Sequence, residues 1–198
     1  MSTKTLETTE TTEKSVSKIN TGTKGKSGKD SLKKIFEELL QDTYSAEQQL
    51  IKALPELAKA AQNEDLQDAF EDHLQQTKRQ AERLEKVFSR LQIDKNGEKC
   101  KAMEGLVEEA QKIIKEHEDG VTRDVALIIA AQKVEHYEIA AYGSLVELAD
   151  VLGLDNIADV LERTLNEEKE ADDLLSEIAQ DVNDEAYEHN PQEYQFQS

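Results

Sequence analysis

Apolar residues three and four positions apart recur along most of the chain and predict four long helices with one shorter one. The first, over about residues 31–62, follows an Asp30-Ser31 cap and turns Phe36, Leu40, Thr43, Glu47, Leu50, Leu54 and Leu57 to one face. The second, about 65–91, does the same with Leu66, Phe70, His73, Thr77, Gln80, Leu84 and Val87, and Asn96-Gly97 then breaks the chain. A shorter amphipathic stretch at about 102–117 carries Met103, Leu106, Val107, Ala110, Ile113 and Ile114. The third long helix, about 122–152, points Val125, Ile128, Ala131, Glu135, Glu138, Tyr142, Leu145 and Ala149 inward and stops at Gly153. The last, about 155–183, presents Ile157, Leu161, Thr164, Glu168, Asp172, Leu175, Ile178 and Val182.

Short turns join the first helix to the second and the third to the fourth, so each pair is antiparallel. Roughly thirty residues separate the two hairpins, which is enough for one long crossover. The expected fold is therefore all-α: a ferritin-like four-helix bundle over residues 31–183, with one long crossover containing a short extra helix. Pro55, inside the first helix, is expected to bend it or open one turn.

The inward faces are not uniformly apolar. They contain five carboxylates, Glu47, Glu135, Glu138, Glu168 and Asp172, together with His73 and Gln80, and neither Lys nor Arg. Burying an ionised carboxylate without a partner costs several kcal/mol, and a domain is stable by only ~5–15 kcal/mol. Something must cancel the charge. Glu47 lies sixteen residues before a turn near Asn63 and Gln80 seventeen after it. In the other hairpin, Glu138 and Glu135 lie sixteen and nineteen residues before a turn near Leu154, and Glu168 and Asp172 fourteen and eighteen after. At ~1.5 Å per residue these levels agree within about a turn and a half. Glu135 with Glu138 (i,i+3) and Glu168 with Asp172 (i,i+4) each share a face. Two divalent ions would bring four positive charges to five negative ones, and carboxylate oxygens with one imidazole suit iron or manganese, and zinc less exclusively. By this count His73 sits one to two turns off the level, so it reads either as a core histidine or as a ligand. His136, His117 and His189 point away from the core. Tyr142 reads as a core tyrosine or as a hydrogen-bond partner of the site.

Composition narrows the class. The net charge is -19, and residues 1–30 hold six Lys against four acidic residues, so the rest of the chain carries -21. Such a surface repels nucleic acid and anionic membranes and attracts cations. No window approaches the ~18–20 apolar residues of a membrane span, the first residues lack an apolar signal segment, and Cys100 is alone, which excludes an intrachain disulfide. A cytoplasmic protein is expected. Residues 1–30, rich in Thr, Ser, Lys and Gly, are expected to form a disordered tail, and 184–198 a flexible polar end.

The stretches DTYSAEQQL (42–50), AMEGL (102–106) and QKVEHYEIA (132–140) resemble the YciE/YciF family of bacterial stress proteins over roughly residues 32–183. The resemblance implies a ferritin-like fold, a homodimer, a di-metal centre and a role in stress responses; it settles no activity, though members are described as ferroxidases by analogy with ferritins and rubrerythrins. Against the wider di-iron pattern, Glu47 and Glu135 match the glutamates of the first and third helices. The second helix instead offers Thr77-x-x-Gln80 where Glu-x-x-His stands in that pattern, and the fourth Glu168-x-x-Ala171 followed by Asp172. Gln76 stands where the family commonly has Glu. Two functions follow as expectations: oxidation of Fe(II) by dioxygen or peroxide at the carboxylate cluster, or a non-catalytic bundle in stress or protein interaction without a functional metal site. A closed, DNA-protecting shell is disfavoured.

Overall fold

A computed structural model describes residues 28–189 of the chain. Five helices account for nearly all of them: α1 (Gly28–Ala60), α2 (Glu64–Leu91), α3 (Lys101–Glu116), α4 (Val121–Leu152) and α5 (Asp155–His189). The chain is all-α, a four-helix bundle of α1, α2, α4 and α5 with α3 inside the crossover. Helix α5 runs six residues past its expected end, and α1 begins at Gly28, so 28–30 and 184–189 are helical; the remaining residues of both expected tails lie outside the described ones.

Helix ends follow from local chemistry. The Asn63 side chain accepts from Leu66 N at 2.9 Å and starts α2, while Gly153, at φ 75°, closes α4 with its N–H turned back to Ala149 and Asp150. The second helix ends at Leu91, as expected, capped by Gln92, a non-glycine residue at φ 56°. Helix α1 continues through Pro55 without ending.

The two hairpins are fastened end to end by a pair that the apolar pattern did not single out. Buried Asp124, in the first turn of α4, accepts from Gln62 N and Asn63 N at 3.0 and 2.8 Å, and buried Arg123 donates to the Ala60 carbonyl. The α1–α2 turn therefore sits on the start of α4, and α1 lies antiparallel to α4.

Residues between α2 and α3 lie along α1, where Gln41 Nε2 donates to the Asp94 carbonyl at 2.8 Å and Cys100 N donates to Ser45 Oγ at 2.9 Å. A Cβ on Gly97 would stand 2.7 Å from Gln41 Cβ, a clash with an atom fixed to the helix backbone. Gly97→Ala is expected to destabilise the fold by about 1–3 kcal/mol, read as a lower thermal midpoint; an unchanged midpoint would show that the crossover is free to move.

The core has two apolar halves. Leu50, Leu54, Leu57, Phe70, Ile128 and Leu175 belong to one, and Phe36, Leu40, Leu84, Leu145 and Leu161 to the other. Between them lies a layer of polar side chains.

Candidate metal centre

Each long helix contributes to that layer where its inward face is interrupted by polar residues: Glu47 from α1, His73, Thr77 and Gln80 from α2, Glu135 and Glu138 from α4, and Glu168 from α5. All seven are buried. Thr77 is spent locally, its hydroxyl donating to the His73 carbonyl at 2.8 Å. His73, Glu135, Glu138 and Glu168 each turn one ligand atom to a common point, and these atoms lie within 4.8 Å of one another. His73 Nε2 is 3.3 Å from Glu135 Oε1. His73 thus belongs with the acids.

The other expected site residues surround this group. Tyr142, fully buried, donates its hydroxyl to Glu47 Oε1. Gln80 is turned with its amide nitrogen toward the acids, donating to Glu168 Oε1 at 2.5 Å and to Glu167 Oε2 at 3.2 Å. Asp172 lies at the edge, half-buried, with Oδ2 3.3 Å from Nε2 of exposed His136. An inner layer without basic residues was expected, but Arg83 borders it. Its guanidinium grips Glu167 with two bonds, of 2.8 and 2.9 Å, and donates to Thr164 Oγ1 at 2.5 Å. The long Arg83 stem reaches in from a half-exposed position, which an inward-face pattern does not register.

Burial raises the carboxyls. Glu47 and Glu135 are pushed up to about 8, chiefly by desolvation, with the Tyr142 hydroxyl pulling Glu47 back and the charges of Asp172 and Glu47 adding to Glu135. Glu138 and Glu168 are raised well above the usual carboxylate range, first by burial and then by the charges of their acidic neighbours. Burial lowers His73 to about 4, so its imidazole is neutral at physiological pH, the form that ligates a metal.

Two agents could neutralise such a site: protons or a cation. The hydrogen bonding separates them. Glu47 Oε2, Glu135 Oε2, Glu138 Oε1, Glu168 Oε2 and Asp172 Oδ1, with both ring nitrogens of His73, are buried without a hydrogen-bond partner. Buried polar atoms in native proteins are almost always paired, and so many orphans at one place match what a bound cation would satisfy. Three carboxylates and an imidazole form a hard, oxygen-rich donor set that fits a divalent transition ion. His73, Glu135, Glu138 and Glu168 would hold it; Glu47, with Oε2 unpartnered, lies in the same buried layer.

Fold and site together define a helical bundle with a buried carboxylate–histidine cluster. By sequence the chain belongs to the family described as a domain of unknown function, DUF892, whose profile matches residues 31–188. It is 50% identical to Protein YciF of Escherichia coli (strain K12) over 152 residues, covering 75% of this chain and 90% of that one. The crystal structure of the E. coli stress protein YciF superposes with a TM-score of 0.75 at 47% identity, over 77% of this chain and 97% of that one. YcfI of Rhodopseudomonas palustris gives a TM-score of 0.71 at 42% identity, over 73% and 92% of the two chains. The expected YciE/YciF relationship therefore holds. No helix among the described residues is long and apolar enough to cross a membrane.

Proposed function

We propose that this chain binds Fe(II) at the His73, Glu135, Glu138 and Glu168 cluster and oxidises it, in the stress response that its E. coli relative's description as a stress protein suggests. The observation that carries this reading is the convergence of four buried ligand atoms among orphaned carboxylate oxygens. Anionic oxygen donors stabilise the more highly charged oxidised ion, so loss of one electron per Fe(II) to dioxygen or peroxide is favoured here. The chain's own residues bind the ion, flank it with apolar layers on either side, and take up or release protons at the glutamates. Iron is then substrate, leaving as Fe(III) or being reduced again elsewhere.

The four convergent ligands define a first ion position. A second ion, as in a di-iron centre, would draw on Glu47, whose Oε2 is unpartnered while Oε1 accepts from Tyr142. Anaerobic titration with Fe(II) is expected to show one tight ion per chain and a second, weaker one. Manganese and zinc are expected to compete for the tight position. No binding by any of the three would overturn the proposal and leave a protonated, structural layer.

We further propose a cytoplasmic homodimer. Ile139 and Val146, on one flank of α4, are half-buried in the single chain and suit pairing between copies. Light scattering is expected to give twice the chain mass; a monomer or a closed shell would refute this.

A further inference from the structure

A cavity of about 280 Å³ opens beside the polar layer, between all four long helices. Leu50, Leu54, Phe70, Val134 and Leu175 form its walls, and His73 and Glu135 its floor. Its mouth lies between α2 and α5, at exposed Asp72 and Glu170 with half-buried Gln76 and Glu167. Half-buried Ala69 on α2 and Ala171 on α5 also line the cavity.

Native interiors keep few voids larger than a water molecule. An apolar cavity of roughly 150 Å³ stays dry and accepts benzene, so one nearly twice that size accommodates about two fused rings or a short branched chain. The floor adds direction. His73 is 7% exposed, both its ring nitrogens lack a hydrogen-bond partner, and its ring forms part of that floor. The rim is acidic, which repels anions and leaves uncharged molecules free to enter.

We propose that this chamber binds an uncharged, mainly apolar compound of one or two rings, with one hydroxyl directed at His73, accepting from the ring N–H or donating to its free nitrogen. The ligand would lie against the cluster that holds iron, and its meaning as an organic partner of that centre rests on the metal reading. Occupancy of the chamber itself does not.

The test uses indole as probe and indole-3-acetate as its anionic counterpart, titrated into the full chain with and without Fe(II) under anaerobic conditions. Methyl NMR signals of Leu50, Val134 and Leu175 report the location. Indole is expected to shift these signals saturably in both preparations, and indole-3-acetate to bind at least tenfold more weakly. Ala171→Leu, at the half-buried mouth, and Ala131→Leu, on the α4 wall, narrow the chamber without touching a ligand. Each is expected to weaken indole at least tenfold while leaving Fe(II) affinity unchanged. If Ala131→Leu fails to fold, Ala171→Leu alone decides. No saturable shift up to the solubility limit of indole, or binding that ignores Ala171→Leu, would overturn the proposal. Indole binding in a protein that takes up no metal would refute the iron reading and leave the chamber standing; the converse result would do the opposite.

Discussion

Glu135→Ala is expected to weaken Fe(II) binding at least about 100-fold and to abolish saturable Fe(II) oxidation. Loss of a partner that merely orients a ligand typically costs 10–100-fold in affinity, and a ligand itself more. Glu135 is central to the group: it faces His73 across 3.3 Å, shares the common point with Glu138 and Glu168, and lines the cavity beside the site. Its removal reduces four convergent ligands to three and leaves the imidazole without its nearest acid. Glu162→Ala, an exposed change on the helix that carries Glu168, serves as the control and is expected to behave as wild type. Isothermal titration and stopped-flow oxidation measure the two effects. Wild-type affinity and rate in Glu135→Ala would exclude the cluster as the site.

Much of this arrangement was legible in the chain because carboxylates on an otherwise apolar stripe are conspicuous. Glu47, Glu135, Glu138 and Glu168 are each flanked three or four residues away by buried apolar or small side chains, and all four are buried. The helix limits were equally readable where chemistry marks them, as at Asn63 and Gly153. His73 reads one to two turns off the level in the sequence but stands with the acids in the structure, and the reason is geometric. The turns near Asn63 and near Leu154 lie at opposite ends of the bundle, so distances along the chain from each do not share an origin. The contact of Asp124 with Gln62 and Asn63 supplies the missing common origin. From that end His73 is ten residues beyond Asn63 and Glu135 eleven beyond Asp124, so the two stand at one height within about 1.5 Å. Nothing in an apolar pattern announces Asp124, since an acid in the first turn of a helix reads as ordinary end chemistry. Asp172 fell the other way. Its i,i+4 spacing from Glu168 puts both on one side of α5, but one further turn along the helix carries it to the edge, where it meets His136.

Metal-free protein is expected to melt at a higher temperature near pH 5 than near pH 8, with a difference of about 10 °C. The sign follows from the carboxyls. Glu47 and Glu135 rise from an ordinary 4.5 to about 8 on folding, so between those values the folded chain holds protons that the unfolded chain has lost. Stability carried by such groups is fully present below the unfolded value and disappears as pH climbs through the folded one. For two buried acids that is on the order of several kcal/mol, and in a domain of this size each kcal/mol moves the midpoint by roughly 2–4 °C. Iron reverses the trend, because bound metal requires the deprotonated ligands and protons compete with it. The loaded protein is therefore expected to gain most over the free one near pH 8, and the gap should close on acidification. The general negative charge of the chain also favours lower pH, so a variant must isolate the site. Glu138→Gln keeps the shape and removes one buried charge, and its amide can donate to the acids around it. It is expected to flatten the pH dependence of the metal-free form, raise its midpoint near pH 8, and abolish the gain from iron. Scanning calorimetry of both proteins at pH 5, 6.5 and 8, with chelator and with Fe(II) under anaerobic conditions, gives all the values needed. If Glu138→Gln follows the wild-type curve in chelator, or if iron raises both proteins equally, the slope belongs to the surface charge and the buried glutamates do not form the site.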